Sequence, residues 1–181
     1  MHVGMSGLYF ERNELNTAEQ HLLKSKELGE LNGLPKNPFR WRVAMAQIRE
    51  TQGDLDDSLD LLDEAENIYV GDFSPNIRPI SALKARVWIK QGELEKALAW
   101  ARERKLSIEE DPSYLREFEQ ITFARILLSQ CQSDHSISLL HDAMGLLEHL
   151  LRAADEGGRI GSVIEILILQ ALAHQMHEDI P

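Results

Sequence analysis

A chain of 181 residues with 30 acidic and 19 basic side chains carries a formal net charge of -11, which repels phosphate backbones and excludes a basic nucleic-acid binder. One cysteine excludes a disulfide scaffold. The longest apolar helix-like run, Ser162 to Ala173, already contains Glu165 and Gln170, which argues against a membrane span. The start MHVGMSG lacks the basic and apolar regions of a secretory signal, so the chain is expected in the cytoplasm with Cys131 reduced.

Apolar positions recur at three and four residues along nearly the whole chain, the period of an amphipathic helix. In chain order the pattern predicts helices near 1–12, 16–31, 38–52, 56–69, 78–91, 95–105, 113–131, 135–156 and 159–177. Gly33, Pro35 and Pro38 punctuate the first long join, Gly71, Pro75 and Pro79 the second, Pro112 the third, and Gly157 with Gly158 the last.

Internal repetition organises these elements. The segments AQIRETQG from Ala46, ARVWIKQG from Ala85 and ARILLSQC from Ala124 align without gaps, each beginning 39 residues after the last. After the first two comes an acidic residue, then Leu55 or Leu94, then a small residue at Ser58 or Ala97. One period earlier, Ser6, Asn13, Leu15 and Ala18 occupy the same places. The fourth unit restarts at Leu140, Ala143, Met144 and Leu147. Ala171, Glu178, Asp179 and Ile180 repeat the end of a first helix and its turn. The units therefore run at about 1–32, 38–70, 78–106 and 113–156, with the start of a fifth at 159–181.

Each unit reads as two helices joined by a tight turn. Gly53 and Gly92 suit the left-handed conformation that ends a helix, and Asp54 or Glu93 suits the positive end of the next helix. In the fourth unit Cys131 takes the place of the turn glycine. The small residues allow antiparallel helices to approach closely. Such pairs stack as an all-α, right-handed alpha-solenoid of about nine helices in one repeat domain. No polar closing repeat is visible, so the expectation is a piece of a longer solenoid. The alternative is a natural chain whose last helix pairs with another subunit, and homo-oligomer formation stays open.

The order small residue, Gly, acid, large apolar, Ala resembles the tetratricopeptide register, although 39 residues exceeds the usual period of about 34. More specific strings, GDFSPNIRP, SYLREFE and GSVIEILILQALA, resemble the superhelical repeat region of large ATP-dependent LuxR-family, MalT-like, bacterial transcription regulators. In that family a nucleotide-binding domain precedes the superhelix and a helix-turn-helix follows it. The resemblance implies the repeat fold and a sensing or partner-binding role. It implies no cofactor site, because the chain contains no GxxxxGK[ST] loop, and no basic recognition helix appears.

In tetratricopeptide-like stacks the first helices line the concave face, so the register itself nominates binding residues. The position after the aligned alanine gives Gln47, Arg86 and Arg125. Six residues before it lie Arg40, Pro79, Phe118 and Glu165, and four after it Glu50, Ile89, Leu128 and Gln175. Arg86 and Arg125 either hold a carboxylate, a sugar or an acidic partner segment through their guanidinium forks, or pair with carboxylates of neighbouring repeats. Phe118, Trp88 and Trp41 offer apolar faces, with Trp88 and Trp100 also suited to the core. Glu165 interrupts an apolar helix, where an unpaired carboxylate is costly if buried.

His174 with His177, and Cys131 with His135, do not assemble the ligands of a structural zinc, and no metal is expected. The run Asp54, Asp56, Asp57, Asp60, Asp63, Glu64 and Glu66 reads as a solvated helix face. No nucleophile and base fall into place, so no enzyme is expected. The sequence points to binding of a small-molecule inducer or a protein partner. The alternative is a tetratricopeptide-like adaptor that holds a peptide in its groove.

Overall fold

The computed structural model describes residues 1–29, 36–69 and 76–179, with residues 178 and 179 described through their backbone alone. Among the described residues there are nine α-helices and no strand: α1 (His2–Glu11), α2 (Leu15–Glu27), α3 (Asn37–Gln52), α4 (Leu55–Asn67), α5 (Ile80–Gln91), α6 (Leu94–Glu103), α7 (Glu117–Asp134), α8 (Ile137–Glu156) and α9 (Ile160–Asp179). The expected all-α repeat architecture is therefore present. The joins at Gly33, Pro35, Gly71 and Pro75, and Ile180, lie outside the described residues. No described helix is long and apolar enough to cross a membrane.

The turns inside the first three repeats share one geometry. Asn13, Gly53 and Gly92 have φ of 59°, 91° and 78°. In each the next residue's N–H reaches back five residues, with Glu14 donating to Tyr9 O, Asp54 to Arg49 O and Glu93 to Trp88 O, all at 2.9 Å. These are Schellman-type stops that satisfy carbonyls left open at a helix end. Asp54 and Glu93 follow as the capping residues of α4 and α6, without a side-chain cap hydrogen bond.

The fourth repeat departs from its expected limits at both ends of α7. Residues 113–116 form a turn rather than helix, with Arg116 N–H donating to Ser113 O at 2.9 Å. The Arg116 side chain is drawn back to Glu110, to Glu119 and to Arg104 O. At the other end Cys131 lies inside the helix. The left-handed stop falls at His135, φ 50°, and the Ser136 hydroxyl accepts from Leu139 N–H to start α8. A cysteine has no advantage in the left-handed region, so the helix runs on past it.

The chain divides into two compact units, Met1–Ser74 and Pro75–Pro181. In the first, α1 packs on α2 and α3, and α3 on α2 and α4. Its core gathers Ala18, Leu22, Met45 and Ile48 with Val3, Tyr9, Phe10 and Trp41 beside them. In the second, α5 packs on α6 and α7, and α7 on α6, α8 and α9. One cluster there centres on Ala85, Ala97, Trp100 and Ile126, and another on Ala124, Cys131, Ala143, Leu147 and Ile166.

Of the small residues assigned to the repeat register, all but one are buried, Ser6 among them at 1%. Ala18, Ala46, Ser58, Ala85, Ala97, Ala124 and Ala143 expose at most 1% of their surface. Ala171 is the exception, being exposed together with Ile164, Leu167, Ile168 and Leu172 along α9. At the matching places of α7, Glu117, Gln120, Ile121 and Ala124 are buried, because α7 packs on α5 and α6 as well as on α8 and α9, whereas α9 packs chiefly on α7 and α8 among the described helices. Among the described residues α9 has no second helix of its own.

Ser58 is fully buried and its hydroxyl has no hydrogen-bond partner among the described residues, while the matching places hold Ala18, Ala97 and Ala143. Ser58→Ala is expected to stabilise the fold by about 1 kcal/mol, the cost of an unsatisfied buried hydroxyl. Gly92→Ala, forced into a left-handed φ, is expected to destabilise it by about 1 kcal/mol. Urea unfolding of both variants against the parent chain checks the two signs.

Candidate functional site

First helices lie beside one another within each unit, α1 on α3, α5 on α7, and α7 on α9. The register positions fall on this layer because residues seven apart, two helical turns, share one face. In the first unit, α1 and α3 border a cavity of about 570 Å³. Arg40 and Gln47 both line it, together with Phe39, Val43 and Ala44 from α3 and Val3 and Gly4 from α1. Phe39 is steadied by Tyr69, ring centroids 5.1 Å apart. The exposed Arg40 side chain has no ion pair among the described residues. The cavity thus combines apolar walls with the Arg40 guanidinium and the carboxamides of Asn37 and Gln47, and its volume suits a small organic molecule.

In the second unit the register brings four nominated residues together. Glu165 Oε1 on α9 receives Arg86 Nη1 at 2.9 Å from α5. It also receives Arg125 Nε at 3.2 Å and Nη2 at 3.0 Å from α7. One carboxylate oxygen therefore serves two guanidinium groups. The Arg86 guanidinium lies 3.8 Å from the centre of the Phe118 ring, a cation–π contact. The side chains are partly open to water, 16% for Arg86, 34% for Arg125 and 26% for Glu165. Of the two readings of Arg86 and Arg125, the ion pair between repeats is present. Its carboxylate is the residue that interrupts the apolar run of α9.

Two members of this cluster were not anticipated. Thr122 Oγ1 accepts from Arg86 Nε at 2.9 Å and donates to Phe118 O at 2.7 Å, which orients the guanidinium toward Glu165. Arg78 places its guanidinium 5.5 Å from the Phe118 ring. Thr122 was findable, because Phe118, Thr122 and Arg125 follow the four-then-three spacing of one helix face. Arg78, the first residue of the helix expected over 78–91, instead precedes α5, which starts at Ile80, so helical spacing does not place it.

Other nominated side chains belong to the packing. Trp41 packs against the core of the first unit and donates Nε1–H to Leu22 O at 2.9 Å. Trp88 packs around Trp100, as expected for core residues, and Leu128 is buried. The acidic run on α4 is exposed throughout, and Glu64 pairs with Arg42 at 2.8 Å. Glu119, 2% exposed, is held by Arg104 at 2.7 Å and Arg116 at 3.2 Å. Glu117 joins α9 to α7 through Arg159 at 2.7 Å and Ser162 at 2.6 Å. These two carboxylates are structural ties, each with its charge compensated. Among the described residues no group of three or more His, Cys, Asp and Glu is placed to hold a metal ion.

Among the described residues, four helix pairs followed by α9, with small residues at the close approaches and left-handed stops inside the pairs, define a tetratricopeptide-like helical-repeat protein. The sequence model of the MalT-like TPR region matches residues 1–181, and the chain belongs to that family. No curated protein and no solved structure is significantly similar to it. Repeats of this class are typically non-catalytic and generally mediate interactions.

Burial raises the Cys131 thiol above its ordinary range, its hydrogen bond to Ser136 O lowering it only in part and Asp134 adding a smaller upward push. A thiol kept neutral is a poor nucleophile. Native protein at pH 8 is expected to react with iodoacetamide far more slowly than protein in urea, with mass spectrometry as the readout. Ionisation disfavours the fold, so the stability the neutral thiol provides is lost only as pH rises from the unfolded thiol's range through the raised folded value.

Proposed function

We propose that this chain is the ligand-sensing, signal-integrating repeat region of a LuxR-family, MalT-like transcription regulator, and that it works in the bacterial cytoplasm by binding and not by catalysis. The reading is supported most by the cavity of the first unit, which Arg40 and Gln47 both line. Those two residues were nominated by repeat register alone. The site takes a small-molecule inducer, with the guanidinium and carboxamide orienting its polar groups and Phe39, Val3 and Val43 meeting its apolar part. Bound ligand favours whichever helix packing it fits better, and so biases the regulator between a resting and an active arrangement. DNA contact belongs to another part of the regulator, in keeping with the charge of -11 here. Arg86, Phe118, Arg125 and Glu165 present a second surface of the same first-helix kind.

A thermal-shift screen of sugars, organic acids and nucleosides against the chain, repeated on Arg40→Glu with Gln47→Leu, tests the reading. At least one compound at about ten times its Kd is expected to raise Tm by about 3 °C in the parent chain. The double variant, of unchanged helicity, loses that shift. A compound that shifts both proteins equally places its site elsewhere. No shift from any compound, together with saturable binding of a defined peptide, overturns the sensing reading in favour of an adaptor.

A further inference from the structure

Arg40 stands apart from the other arginines of the first unit. Arg12, Arg42 and Arg49 are each held by a carboxylate, Glu14 at 3.2 Å, Glu64 at 2.8 Å and Glu19 at 2.7 Å. Arg40 has no such partner among the described residues, although it is exposed in a chain with 30 acidic side chains. The reason is local, because the described lining of the cavity of about 570 Å³ contains no acidic residue. Arg40, Val43, Ala44 and Gln47 follow the three-and-four spacing of one face of α3, so the guanidinium lies at one end of an apolar strip. The first turn of α3 supplies Asn37, Phe39 and Arg40 to the lining. It holds no acidic residue, and Lys36 makes no side-chain cap hydrogen bond there. The positive end of α3 therefore borders the cavity with no first-turn carboxylate against it.

We propose that the cavity takes a small monocarboxylate with an apolar body, its carboxylate seated on Arg40. The inference rests on the proposed function, which puts the inducer in this cavity, and names the inducer's chemical class. The negative charge follows from the unpaired guanidinium fork, which offers a carboxylate two parallel hydrogen bonds, with the end of α3 adding to the attraction. A single charge follows from the surroundings. The net charge of -11 repels anions, and at physiological salt that repulsion is screened beyond about 8 Å, so the nearby Arg40 decides for one carboxylate. Further anionic groups find no second arginine in the described lining. The apolar body follows from Val3, Val43, Ala44 and the Phe39 ring, which Tyr69 steadies at a centroid distance of 5.1 Å.

A sugar fits this wall less well. Each sugar hydroxyl donates as well as accepts, and the described lining offers no carboxylate to receive the donated hydrogen bonds. An organic cation is turned away by Arg40 itself.

Calorimetry of the full chain at neutral pH, with phenylbutyrate, phenylbutyramide, phenylbutylamine and acetate as probes, tests charge and apolar body separately. Phenylbutyrate is expected to bind saturably and about tenfold more tightly than the amide, the amine more weakly than the amide, and acetate without saturation. Rising salt weakens the carboxylate and leaves the amide unchanged. Arg40→Glu, at an exposed position, is expected to invert the order, so that the amine binds more tightly than the carboxylate. Gly4→Leu locates the site. Gly4 lines the cavity from α1, and a Cβ there meets no atom within 4 Å, so the leucine takes up cavity volume and weakens carboxylate and amide alike. Misfolding of Gly4→Leu leaves the charge inversion in Arg40→Glu to decide. Equal affinity for carboxylate, amide and amine, all weakened by Gly4→Leu, overturns the carboxylate inference and leaves the proposed function standing. Failure of phenylbutyrate to bind the parent chain also overturns it, and a neutral compound whose thermal shift depends on Arg40 and Gln47 then keeps the proposed function. Carboxylate binding indifferent to both Arg40→Glu and a folded Gly4→Leu overturns the inference and the cavity site together.

Discussion

The whole structure depends on the close approach of antiparallel helices at small side chains. Ala46, Ala85 and Ala124 on first helices and Ala18, Ser58, Ala97 and Ala143 on second helices are buried almost completely. At those points a larger side chain would push the helices apart and open the thin aliphatic layers on either side. The large residues then fill around them. Leu22, Ile48, Leu62, Ile126 and Leu147 are each at most 2% exposed. With aromatics at only 6% of the sequence, the cores rest on many aliphatic contacts of modest size.

That packing decides where charge is allowed. First helices are sandwiched between their own second helix and the neighbouring repeats, so a polar residue on them is either compensated or turned to the open face. Glu117 and Glu119 are compensated, each by arginines from other segments. In the first unit Arg40 and Gln47 line its cavity, and in the second Arg86, Arg125 and Glu165 meet partly open to water. A chain that is strongly acidic as a whole thereby carries a cationic cluster, built from residues 39 apart that no local charge run reveals.

Much of this was legible in one dimension because repetition amplifies weak signals. A single glycine after an apolar run is an ambiguous helix stop. Gly53 and Gly92 at the same register, followed by an acid and a leucine, are not, and both take the left-handed conformation. Asn13, one period earlier, does so too. The signal weakened where the period stretched. In the fourth repeat the register pointed to Cys131, and the chain turns instead at His135. There the local energetics of a continuing helix outweighed the alignment.

The sequence by itself determined the helix count, the pairing of helices, the small-residue contacts and the face on which Arg86, Arg125 and Glu165 would lie. All of these follow from period and register, which are local or repeated quantities. Only the tertiary structure decided that one oxygen of Glu165 answers both arginines, that Thr122 and Phe118 hold Arg86 in position, and that Trp41 turns inward to Leu22 O. Those outcomes depend on which side chains meet across helices far apart in sequence. Spacing along the chain sets the candidates for such meetings, and three-dimensional packing chooses among them.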